Sequence, residues 1–162
     1  MGRRQTWITA AALLGAASPA LAWEPLGGRW NVPADGVKYR VNEQLSADMD
    51  DRTCLEGVQA GYNAWTALPC SFMNWAYDGR TQNSSWGAAD GENIVVWFES
   101  GWTEGGSVLG VAANSGGAGG GYVDCDTKYN GQDHSWISPP VGTDENTGGG
   151  VDVIGVVAHE AG

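Results

Sequence analysis

Asn93-Ile94-Val95-Val96-Trp97-Phe98-Glu99 is the stretch on which the fold turns. From Ile94 to Phe98 the apolar residues follow one another without alternation. Such a run suits a central strand covered on both faces. Upstream, Val37, Tyr39 and Val41 alternate with Lys38 and Arg40, which predicts a half-buried strand over Val37–Val41. Ser46 offers a helix start, Leu55, Val58, Tyr62 and Trp65 follow at helical spacing, and Pro69 closes the segment. Ser71–Tyr77 reads as a second strand and the polar Asp78–Gly91 as a loop. Downstream, Ser107–Ala113 and Tyr122–Tyr129 form a hairpin-like pair around the flexible tip Gly116–Gly121. Trp136–Gly150 is a loop rich in Pro and Gly. Asp152–Gly162 closes the chain with Val153, Val156, Val157 and Glu160 at i, i+3, i+4 and i+7, a helix. Strand, helix, several strands and helix in that order give an α+β or α/β class, and there are no internal repeats.

The first residues stand apart from this pattern. Arg3 and Arg4 precede the apolar run Ile8–Ala17, and Ala20-Leu21-Ala22 is an A-x-A cleavage signal. Residues 1–22 therefore read as a signal peptide, too short in its apolar part to be a membrane anchor. Gln5-Thr6-Trp7 fits a twin-arginine signal poorly. Trp23 is expected as the first mature residue, and residues 23–36 as an irregular lead-in to the domain at 37–162. The protein is expected to be secreted and monomeric, with no attachment to a membrane after cleavage.

The chain has 162 residues and a net charge of −11, which becomes −13 once Arg3 and Arg4 are removed. That balance argues against nucleic acid as a partner, because phosphates attract Lys and Arg. It suits solubility, and some of the carboxylates could bind cations. In an oxidising compartment three cysteines permit one bridge and leave one over. Cys54–Cys70 is the expected pair, with Cys125 left. Nine Trp are many for this length. They fill a core or, alternatively, stack on sugars.

The last residues carry the chemistry: Val156-Val157-Ala158-His159-Glu160-Ala161-Gly162. On a helix, His159 can offer an imidazole nitrogen to a zinc ion, and Glu160 can take a proton from a zinc-bound water. A second His four residues after the first would return to the same face. His134 is not spaced to complete a triad with His159, and its polar loop makes it a surface residue.

The apolar lead-in, Ala158-His159-Glu160, and then Ala161 and Gly162 resemble the zinc helix of the metzincin metalloproteases, H-E-x-G-H-x-x-G-x-x-H. Ala64-Trp65-Thr66, Gly91-Glu92-Asn93-Ile94-Val95-Val96-Trp97, and Val123-Asp124-Cys125-Asp126 followed by Asn130 and Trp136 are similar to the matrixin-like branch of bacterial secreted proteases. The resemblance covers residues 37–162. It implies an α+β domain with a twisted, mostly parallel five-stranded sheet, one antiparallel edge strand and two long helices. It implies His159 as a metal ligand for Zn2+, Glu160 as the catalytic general base, and a protein or peptide substrate aligned along Ser107–Ala113. Asp124 and Asp126, two apart on a strand, face one side and could bind calcium or cap the Gly-rich tip. The His-rich pattern of a second, structural zinc site is absent, and no cysteine-switch propeptide precedes the first strand. The second and third His and the Met-containing turn are not in the chain, so a fragment of a longer reading frame, inactive by itself, is expected. The rival readings are a secreted carbohydrate-binding module and a non-catalytic metzincin relative.

Overall fold

The computed structural model describes residues 28–116, 120–140 and 149–162. The expected signal peptide, residues 23–27 of the expected lead-in, the centre of the Gly-rich tip and residues 141–148 of the Trp136–Gly150 loop lie outside the described residues. In chain order the elements are β1 (Arg29–Trp30), β2 (Val37–Asn42), α1 (Asp51–Thr66), β3 (Trp75–Thr81), β4 (Ile94–Phe98), β5 (Gly110–Gly116), β6 (Gly121–Asn130), β7 (Trp136–Ile137), β8 (Val151–Asp152) and α2 (Val153–Glu160). The class is α+β, with two helices and a mostly parallel sheet.

The continuous apolar run becomes β4, and it lies between β2 and β6, parallel to both. Val95 and Trp97 point into the main core; Ile94 and Val96 are buried on the other face. Across the sheet the order is β3, β2, β4, β6 and then β5, which pairs with β6 antiparallel and forms an edge. The sheet holds a sixth strand that the pattern does not reveal. The two-residue β1, inside the supposed lead-in, pairs with Gly121 and Tyr122 at the start of β6.

Several boundaries differ from the sequence expectation for identifiable reasons. Helix α1 starts at Asp51, not at Ser46, because Asp50 is the better cap: its carboxylate accepts from the Thr53 N–H at 3.0 Å and the Thr53 hydroxyl at 2.7 Å. Ser46 caps only a local turn, accepting from the Asp48 N–H at 3.3 Å. Strand β3 runs on through the polar Asp78-Gly79-Arg80. It lies at a sheet edge, so its polar side chains stay wet or pair with neighbours, as Asp78 does with Arg40 at 2.9 Å. Strand β5 is displaced three residues along the chain, because its pairing with β6 places Gly110 opposite Tyr129 and Gly116 opposite Tyr122.

Cys54, Val58 and Tyr62, at i, i+4 and i+8, bury one stripe of α1 on the sheet. Tyr62 stacks on Tyr39 with centroids 3.9 Å apart. Completely buried valines such as Val41, Val58 and Val95 contribute roughly 1.5–3 kcal/mol each. The expected Cys54–Cys70 bridge does not form, and all three cysteines are free. From Cys54 to the end of α1 the helix rises about 20 Å. Residues 67–70 are taken up in turns, with the Leu68 N–H on the Trp65 carbonyl and the Ser71 N–H on the Leu68 carbonyl. They do not run back along the helix to bring exposed Cys70 within the ~7 Å of buried Cys54 that a disulfide requires.

The face of the sheet away from α1 is closed by loops. Lys128 on β6 is almost fully buried there, its Nζ 2.7 Å from Glu104 and 3.8, 4.9 and 5.3 Å from the ring centres of Trp86, Trp102 and Phe98. Asp124 and Asp126 share that side, as their spacing predicts. They cap the loop before β4. Asp126 accepts from the N–H groups of Gly87 at 2.8 Å and Ile94 at 3.0 Å, and Asp124 from Gly91 at 2.7 Å. Burial pushes the Asp126 carboxyl up to about 6, against the two backbone hydrogen bonds that favour its ionised form.

Candidate active site

Helix α2 is capped by Asp152, whose side chain accepts from the Ile154 N–H at 2.8 Å. Val153 and Val157 are completely buried against α1. That packing needs small residues opposite. A Cβ on Gly57 would stand 2.5 Å from Val153 Cγ1, and one on Gly61 would stand 2.6 Å from Val157 Cβ. Val153 and Val157 face α1, and Gly155, Val156, His159 and Glu160 reach the side of β5, with Glu160, seven residues after Val153, at the border between the two sides. Together with Leu109 and Gly110 they line a cleft of about 300 Å³.

His159 is exposed at this cleft, while Glu160 is half-buried. Burial holds the Glu160 carboxyl above the usual carboxylate range; His159 and the backbone N–H of Ala112 work in the opposite direction. Gly110 lets Glu160 come this close. A side chain there would meet Tyr129 at 3.0 Å and the Glu160 Cγ at 3.3 Å. Strand β5 pairs with β6 alone, so its other edge is free of strand partners among the described residues.

The structure thus brings His159 and Glu160 together in one cleft and leaves the other candidates elsewhere. His134 is half-buried between exposed Asp133 and Ser135, and its Nε2 is enclosed without a hydrogen-bond partner among the described residues. A second cleft, of about 250 Å³, lies beside Arg40, whose guanidinium is engaged by Asp78 at 2.9 Å and Glu92 at 3.4 Å. The resemblance named Gly110 and Ala112 only as part of the substrate-aligning segment Ser107–Ala113; their closeness to Glu160, and the place of Tyr129 beside Gly110, leave no chemical signature in the sequence.

A catalytic zinc requires three protein ligands. Among the described residues no three His, Cys, Asp or Glu side chains group to hold a metal. His159 fits as a single donor at an accessible cleft. Among the described Trp residues, Trp75, Trp97, Trp102 and Trp136 are buried, and Trp30, Trp65 and Trp86 are half-buried. Among the described residues no helix is long and apolar enough to cross a membrane. No family model matches the chain, and no curated protein matches it.

Proposed function

We propose that the chain is the N-terminal part of the catalytic domain of a secreted zinc-dependent endopeptidase of the metzincin type, in its matrixin-like branch. The observation that supports this reading best is the single cleft that unites His159, a half-buried Glu160 and the free edge of β5. Each part has a chemical task. His159 supplies one metal ligand; the reading places the other two in the reading frame after Gly162. Bound zinc would supply a water acidified toward neutrality and polarise the scissile carbonyl. Glu160, beside His159 in the same cleft, would take a proton from that water and return it to the leaving amine. The edge of β5 offers main-chain groups to an extended peptide, which would add to the sheet as a further strand.

The buried or half-buried state of the described Trp residues supports the protease reading over a sugar-binding module. A non-catalytic relative would keep the cleft and lose the chemistry. The test starts with the reading frame beyond Gly162, where a histidine directly after Gly162 and another six residues later are expected. The protein expressed from that frame is then assayed for zinc by mass spectrometry and for cleavage of a quenched fluorescent peptide. His159→Ala should lose zinc. Glu160→Gln should keep zinc and lose about 10²–10⁴-fold in kcat. Cleavage by Glu160→Gln at the parent rate would sink the mechanism.

A further inference from the structure

The last turn of α2 is held from outside by α1. Trp65 donates its indole Nε1–H to the carbonyl oxygen of Ala158 at 2.6 Å. That carbonyl and the N–H of His159 belong to one planar peptide unit. A bond to the oxygen therefore fixes the plane from which the His159 Cα departs. The Trp65 ring also occupies the space beside Gly162, where a Cβ would overlap it. One turn earlier, Gly61 seats Val157, and two turns earlier Gly57 seats Val153.

We propose that Trp65 is the positioning residue of this site: through the Ala158 carbonyl it sets the rotation of the last turn of α2, so that His159 and Glu160 face β5 together, and it requires glycine at 162. Trp65 is not among the residues lining the cleft and acts only through the α2 backbone. The roles of His159 and Glu160 rest on the protease reading; their placement by Trp65 does not. Gly57 and Gly61 set how close the helices lie, but apolar packing alone leaves α2 free to turn by a few degrees. A directed hydrogen bond removes that freedom.

The test replaces the N–H while keeping the shape. In the protein from the full reading frame, Trp65 is exchanged for benzothienylalanine, which carries sulfur in place of the N–H, and for 7-azatryptophan, which keeps the donor; Trp65→Phe is the genetic counterpart. Two readouts are taken. One is zinc affinity by competition with a chromogenic chelator. The other is the nuclear Overhauser contact between the Glu160 γ protons and the Gly110 α protons, expected because Glu160 Cγ lies 3.3 Å from the Gly110 Cβ position. The sulfur analogue and Trp65→Phe should weaken zinc binding about tenfold and lose the contact, and 7-azatryptophan should restore both. Unchanged affinity and an unchanged contact with the sulfur analogue would overturn the positioning role and leave the protease reading intact. A parent protein that binds no zinc, but whose contact disappears with the sulfur analogue, would overturn the protease reading and support the positioning role. A contact that persists in that protein would overturn both. Should Trp65→Phe fail to fold, the isosteric analogue carries the test.

Discussion

Gly61→Ala puts the seam between the helices to the test. In an isolated helix the change would stabilise by about 1 kcal/mol, since alanine restricts the unfolded chain and favours the helix. Here the new methyl would stand 2.6 Å from both Cβ and Cγ1 of Val157 and 3.0 Å from the carbonyl oxygen of Ile154. Rotation of Val157 can move Cγ1; it cannot move Cβ or the Ile154 backbone. To restore ordinary contact at 3.4 Å, α2 must retreat by about 0.8 Å. Overpacking of this kind costs roughly 1–3 kcal/mol, and with backbone involved the upper end applies. The net expectation is a loss of about 2 kcal/mol in urea unfolding, with the m-value unchanged. Asn63→Ala, exposed on the same helix, is the control and should gain about 0.5 kcal/mol. Adding Val157→Ala should not recover the loss, because the clashing Val157 Cβ remains and a completely buried side chain is truncated. A Gly61→Ala protein as stable as the parent would refute the close approach of α1 to α2, and with it the account of how α2 is aimed.

Other parts of the molecule give further checks. Glu104→Gln should destabilise more than Lys128→Met, because it leaves an ammonium buried among three aromatic rings without its carboxylate, whereas the methionine fills the same space without charge; equal urea midpoints would contradict this. The Asp126 carboxyl is raised by burial from 3.8 to about 6 in the folded protein, so the folded state binds its proton more tightly than the unfolded chain. The stability it contributes is greatest below about pH 4 and is lost as pH rises to about 6, and Asp126→Asn should flatten that slope in urea midpoints measured across the range. With a thiol reagent, exposed Cys70 should react at once; Cys54 and Cys125, buried and with thiols pushed up to about 11 and about 12, should react only on unfolding. Rapid reaction of all three in the native protein would place those thiols elsewhere.

The sequence made some of this plain and hid the rest for physical reasons. The apolar run of β4 was legible because burial on both faces leaves no polar position to interrupt it. The stripe on α1 and the valines of α2 were legible because a helix repeats its buried face every three or four residues. Strand β1 was not, since two residues carry no period. The course of β3 through Asp78 and Arg80 was hidden because an edge strand tolerates polar side chains that otherwise mark a loop. The shared side of Asp124 and Asp126 followed from strand geometry, but their target did not. Which loop lies over a strand is a matter of tertiary packing, and here it is Gly87, Gly91 and Ile94. The disulfide expectation failed because it took ends of one helix as neighbours, when the helix itself holds them apart.

The candidate site shows the same division in sharper form. His159 and Glu160 stand out in sequence because their side chains have chemistry to offer. Yet which way they face is decided on α1, by residues whose contribution is a missing side chain or a single N–H. Gly57, Gly61 and Trp65 recur at i, i+4 and i+8, so they form one row along α1. Val153, Val157 and the last turn of α2 lie against that row in order. Two glycines four apart in a helix cost about 1 kcal/mol each relative to alanine, which is a poor choice for a helix judged alone. They become intelligible once α2 is seated in the groove they leave. A search for function that looks only for reactive side chains finds the end of α2. A search that also asks why a helix should carry unfavourable glycines on its buried face finds the surface that aims it.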